Sequence, residues 1–180
     1  MAKTTPYLMV GVMMAGLAGA GRPVAAQSMD APSVPRVRSG NVSIAALISR
    51  ATEQSKTFRG LMETINASDG IVYVIEGKCG HGVRACLVTV SKEGPTRFLW
   101  VRVDTHKADV DLMASMGHEL RHTIEVLSEP RVTSGAAMYL FYSGVGSQDV
   151  DRAFETTAAV DAGNLVRTEV RSYRARAKAK

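Results

Sequence analysis

Residues 113–127 read Met-Ala-Ser-Met-Gly-His-Glu-Leu-Arg-His-Thr-Ile-Glu-Val-Leu, and the rest of the chain is organised around them. Met113, Met116, Leu120, Ile124 and Leu127 recur at three- and four-residue steps, which is the spacing of one apolar stripe on an α-helix. At ~100° per residue, His118, His122 and Glu125 point about 180° away from the centre of that stripe. The helix therefore buries one side and leaves two imidazoles, one turn apart, free to line a cleft. It is predicted over about residues 107–128 and stops at Glu129-Pro130, because the residue before a proline is driven out of the helical region.

Upstream lie three runs rich in β-branched and aromatic residues: GIVYVIE at 70–76, ACLVTVS at 85–91 and TRFLWVRVD at 96–104. Short connections between them predict a three-stranded antiparallel meander. Before the strands, Ile44, Leu47, Ile48, Ala51, Phe58, Leu61, Met62 and Ile65 form a helical stripe, broken near Ser55 and ended by Asn66-Ala67-Ser68-Asp69-Gly70. Downstream, residues 132–142 are small and aromatic, and a last helix is expected from about Gln148-Asp149 to Arg171. The fold class read from this order is α+β: N-terminal helices, an antiparallel meander, the histidine helix and a C-terminal helix. One domain is expected over residues 41–172, after a flexible leader at 27–40 and before a basic, solvated tail at 173–180.

Composition bounds the rest. At 180 residues, with 22% charged and 46% hydrophobic residues, the chain suits one globular domain and excludes a disordered, collagenous or coiled-coil protein. Residues 1–26 read as a secretory signal, with Lys3 before an apolar run at 7–20 and small residues up to Ala26. That run is interrupted at Arg22-Pro23, short of the ~20 apolar residues a membrane span needs. No stable span is expected after processing, and the protein is expected to be secreted or periplasmic. An oxidising compartment makes Cys79 and Cys86, at the two ends of a glycine-rich loop, an expected disulfide. Two cysteines also exclude a four-thiolate zinc site. The formal charge of +5 is too modest to argue for nucleic acid, and Lys3 and Arg22 would leave with the signal. No sequence feature sets an oligomeric state.

The candidate chemistry is that of His118-Glu119-Leu120-Arg121-His122. Two imidazoles at i and i+4 can grip one cation, and the intervening glutamate projects beside it, placed to take a proton from water and pass it to a leaving amine. Zinc needs a third protein ligand and an open position. No histidine follows His122, so a carboxylate must serve. Glu155 ranks first because it is expected early in the last helix with small residues one turn on. Glu125, crowded beside His122 on the same helix, ranks second, then Asp151. His81 is read as an exposed loop residue and His106 as a capping or surface one. Tyr139 and Tyr142 are read as packing residues, with a phenol for an oxyanion as the sharper alternative.

These motifs resemble the zincin metallopeptidases of the gluzincin type, whose third ligand is a glutamate on a later helix within the pattern E-x-x-A, matched here by Glu155-Thr156-Thr157-Ala158. The resemblance covers roughly residues 96–163. It implies an exported Zn²⁺-dependent hydrolase acting on a peptide or envelope polymer, with His118, His122 and Glu155 as ligands and Glu119 as general base. The strand at 96–104 is expected to form the upper edge of the cleft. Arg121 departs from the family, which carries uncharged residues there, and supports an alternative: a catalytically inactive metal- or protein-binding domain of the same fold.

Overall fold

Ser55 ends one helix and starts the next. It is the C-cap of α1 (Val42–Gln54) and the N-cap of α2 (Lys56–Asn66), with its hydroxyl accepting from the Phe58 N–H. Glu169 accepts from the Ser55 hydroxyl at 2.6 Å and the Thr57 N–H at 2.9 Å, tying this joint to the last helix. The expected break is therefore a capped corner that lets both halves of the apolar stripe turn inward. Ile44, Leu47, Ile48, Ala51, Phe58, Leu61, Met62 and Ile65 are all buried.

A computed structural model describes residues 34–80, 82–107, 109–145, 147–148 and 154–179. The signal segment, His81, Asp149, Asp151 and Lys180 lie outside the described residues. The strands are β1 (Val37–Arg38), β2 (Gly70–Glu76), β3 (Ala85–Glu93) and β4 (Thr96–Val103), in the order β1-β2-β4-β3. The remaining helices are α3 (Val110–Ser128), α4 (Gly135–Val145) and α5 (Thr157–Lys178), while β5 (Ser147–Gln148) and β6 (Phe154–Glu155) pair as a small antiparallel ribbon. The α+β class holds, with five α-helices among the described residues.

The sheet corrects the expected meander. β2 pairs parallel with β4 over its whole length, Gly70 opposite Arg97 through Glu76 opposite Val103. β4 pairs antiparallel with β3, so β4 lies between two strands that precede it in sequence. Short connections suggested neighbours in order, but burial decides the placement. β4 alternates buried and half-buried residues from end to end, whereas β3 is exposed beyond Val90. The strand able to bury a full row takes the centre, and the connection at 77–84 passes over its end. Two residues of the expected flexible leader also join the sheet: Val37 and Arg38 pair parallel with Val72 and Tyr73, and Val37 is buried. At the other end, the expected solvated tail continues α5 to Lys178.

The buried row Val72, Val74, Leu99, Val101 and Val103 faces the helices, with Leu112, Met113, Met116 and Leu120 of α3 in the same core. A charged residue of the central strand enters this layer. Arg97 is 3% exposed, and its Nη1 donates to the carbonyls of Val126 and Glu129, both at 2.9 Å. Its Nη2 donates to the Leu127 carbonyl and to Asp69 Oδ1, both at 2.7 Å. The last carbonyls of a helix have no partner within it. Arg97 supplies donors to those of α3 and anchors the histidine helix to the central strand.

Candidate metal centre

His118 and His122 project from α3 one turn apart, and their Nε2 atoms approach to 3.0 Å. An Oε2 of Glu155 lies 3.1 Å from His118 Nε2. The three ligand atoms all fall within 4.8 Å of one another, so the residues ranked first from the sequence converge. Glu155 arrives differently from expectation. It stands on β6, where Ser147 is its partner, and α5 begins only at Thr157. The expected helix start near residue 148 and the helical placement of E-x-x-A are thereby corrected. Thr156 is the N-cap, its hydroxyl accepting from the Ala159 N–H at 3.2 Å. A threonine before an apolar-periodic run is a legible start signal, and reading it would have placed the helix correctly.

Two glycines bring α5 against α3. A Cβ on Gly163 would lie 3.2 Å from the Ala114 carbonyl oxygen and 3.3 Å from His118 Cβ, and one on Gly117 would meet Val166 at 2.8 Å. Larger residues would push apart the helices that carry the histidines and follow the glutamate.

Glu125 takes a supporting place. Its Oε2 lies 2.9 Å from His122 Nδ1, on the side of the ring away from His118. Its Oε1 accepts from the Thr156 hydroxyl at 2.7 Å, so one carboxylate holds the ring of one ligand and the residue next to another. Burial would raise the Glu125 pKa, but the hydrogen bonds from His122 and Thr156 outweigh it and hold the carboxylate below its ordinary range. Tyr142, buried, donates to the His122 carbonyl at 2.9 Å. Burial and the nearby Glu125 push its phenol pKa far up, so it stays a donor. Its hydroxyl is committed to the back of His122, as the packing reading expected. Carboxylates that orient a ligating imidazole typically tune metal affinity 10–100-fold. For any divalent ion the group binds, Glu125→Ala is accordingly expected to weaken affinity ~10- to 100-fold while leaving stoichiometry at saturation unchanged, as measured by competition with a chromogenic chelator.

Glu119 is 7% exposed, and its Oε2 accepts from the Leu87 N–H at 2.7 Å. Its Oε1 is 3.9 Å from His118 Nε2. Burial pushes its carboxyl above the ordinary range, opposed by His122, His118 and the Leu87 N–H. Burial lowers the His118 pKa, but Glu155, Glu119 and Glu125 together raise it above the ordinary value. The surroundings thus favour positive charge at the ring. The donor Leu87 comes from a bulge where Val88 is the extra residue of β3 opposite β4. Bulges re-aim backbone groups, and nothing in the alternating pattern marked this one.

A cavity of about 440 Å³ opens beside the group, lined by His118, Glu119, His122 and Glu155 with Leu87, Met138, Tyr142 and Phe154. Its upper edge is β3, not β4 as expected, because β4 is enclosed by both neighbours. Cys79 and Cys86 form the expected disulfide with Cα atoms 5.9 Å apart, and both border the cavity. Tyr139 also lines it and is 58% exposed. Arg121 is absent from the lining; its Nε lies 3.6 Å from Glu125 Oε1. His106 is exposed in a 3-10 turn, as expected.

The class defined here is an α+β protein with a four-stranded mixed sheet and a His-His-Glu group able to bind a metal ion. Comparison with protein-family models, curated proteins and solved structures returns no match. No described helix is long and apolar enough to cross a membrane.

Proposed function

We propose that the chain is an exported zinc-dependent hydrolase of zincin type, acting on peptide bonds. The observation that carries this reading is the convergence of His118, His122 and Glu155 beside the buried carboxylate of Glu119 in one cavity. The donor set fits the metal. Two imidazole nitrogens and one carboxylate oxygen form a zinc set that leaves a position open. The 3.0 and 3.1 Å separations are near, and a little inside, the ~3.3–3.6 Å edge of a tetrahedron with bonds of ~2.0–2.2 Å. When bound, zinc supplies Lewis acidity, lowering the pKa of water and polarising a carbonyl.

The remaining work belongs to the chain's own groups. Glu119, steadied by the Leu87 N–H, takes the proton of the attacking water and returns it to the leaving amine. A carboxyl whose pKa is raised by burial is better matched to both transfers near neutral pH. Glu125 and Tyr142 hold His122, and β6 with the Thr156 cap holds Glu155. The exposed side of β3 is available to pair with an extended substrate. The disulfide supports export to an oxidising compartment. A binding-only domain drew its support from Arg121, which turns to Glu125 and leaves the cavity clear.

The direct test is elemental analysis of the purified protein. One zinc per chain is expected in the wild type and none in His122→Ala. A wild type that holds no divalent ion after zinc loading and dialysis would overturn the proposal.

A further inference from the structure

The cleft has a second lobe. A cavity of about 180 Å³ shares Val83, Ala85, His118, Glu119 and Glu155 with the first and extends to Ser115, Asn164 and Arg167. The metal group therefore stands between two receptacles of opposite character. The larger one is walled by Leu87, Val88, Met138, Tyr142 and Phe154. The smaller one carries a guanidinium.

Arg167 is held in place without being used up. Its Nε donates to Asp111 Oδ1 and its Nη1 to Asn164 Oδ1, both at 2.9 Å. Its Nη2 donates to none of the described residues. Arg171 Nη2 also approaches Asp111 Oδ1, at 3.6 Å, so one carboxylate is shared by two guanidinium groups and positive charge remains. Among the described residues, the acids lining this lobe are Glu119 and Glu155, which the hydrolase reading assigns to proton transfer and metal binding.

Resting on that reading, we propose that the cleft selects peptides with a large apolar side chain on the N-terminal side of the scissile bond and a carboxylate on the C-terminal side. The larger lobe receives the first and Arg167 the second. The order follows from the edge strand. Along β3, Ala85 borders both lobes, whereas Cys86, Leu87 and Val88 border only the larger, so the strand runs from the smaller lobe towards the larger. A substrate added antiparallel, the more stable pairing, runs from the larger lobe to the smaller. A planar guanidinium with free donors suits a carboxylate, and such charge-assisted bonds are about twice as strong as neutral ones.

The carboxylate can be an acidic side chain or a peptide's own C-terminus, and three probes separate them: acetyl-Ala-Phe-Ala-Asp-amide, acetyl-Ala-Phe-Ala-Asn-amide and acetyl-Ala-Phe-Ala-Asn with a free terminus. Binding to zinc-loaded Glu119→Gln protein is measured by calorimetry, and cleavage by the wild type is read by mass spectrometry. At least one acidic probe is expected to bind about tenfold tighter than the neutral one, the size of a single charge-assisted contact. Adding Arg167→Gln should erase that difference, Arg167→Lys should keep part of it, and Phe replaced by Ser should weaken all three probes. Equal binding of all probes, or a preference surviving in a folded Arg167→Gln protein, overturns the proposal. Cleavage of all three alike sinks this specificity but leaves the peptidase. Arg167-dependent binding with no cleavage leaves the recognition site and sinks the peptidase. Absence of both binding and cleavage overturns both.

Discussion

Glu119→Gln is expected to lower hydrolysis of a peptide substrate by ~10²- to 10⁴-fold, the usual contribution of a positioned general base, with zinc content unchanged. Two observations separate these effects. Glu119 is outside the group of converging ligand atoms, so its loss leaves His118, His122 and Glu155 in place. A glutamine also keeps a carbonyl oxygen for the Leu87 N–H, whose 2.7 Å bond to Glu119 aligns β3 above the helix. The variant should therefore fold, bind metal and fail at proton transfer. Turnover of quenched fluorescent peptides, elemental analysis and thermal melting on the same preparations check all three. Full activity in the variant would remove Glu119 from the mechanism; a loss of zinc would make it a ligand.

Arg97→Met should cost ~3–5 kcal/mol of stability, the range for removing one partner from a buried charged network. The change strands the carbonyls of Val126, Leu127 and Glu129, each of which accepts from Arg97 at 2.7–2.9 Å, and the Val126 contact is fully buried, where an unmade hydrogen bond costs most. Asp69 adds less, since its side chain is 41% exposed and solvent screens the pair. Urea denaturation should show a lower midpoint at unchanged slope. A loss under ~1 kcal/mol would show that the helix end needs no such anchor.

The same pair sets a pH dependence. The hydrogen bonds from Arg97 hold the Asp69 carboxyl below its ordinary value. Folding therefore weakens proton binding at Asp69. Its contribution is complete above the unfolded value of ~3.9 and is lost as pH falls through the lowered folded value. Wild type should lose this increment on acidification, and Asp69→Asn should not.

Much of the site was legible because its chemistry is local. Spacing of four puts His118 and His122 on one side of a helix whatever lies around it, and the opposite stripe of Met113, Met116, Leu120 and Ile124 is buried as expected, although Glu119, His122 and Thr123 are buried as well. The capped break at Ser55 was legible for the same reason, since hydrogen bonds to the next turn depend on near neighbours. Glu155 ranks first among the acids on sequence grounds, whereas the helix expected from Gln148 begins about nine residues later, behind the Thr156 cap. From the sequence Glu125 is either a second-ranked ligand or a charge partner of the histidines on its own face. Its place behind His122 depends on Thr156, 31 residues away.

The amino-acid order alone placed His118, Glu119 and His122 on one helix and ranked Glu155 first among the candidate acids, because helical periodicity and donor chemistry act within a few residues. Only the tertiary structure decided that β4 takes the centre of the sheet, that β3 and its bulge form the cleft edge, and that Glu155 is delivered from a two-residue strand. Those outcomes come from competition between segments for buried area and for hydrogen-bond partners. Such competition is resolved only when the whole chain packs.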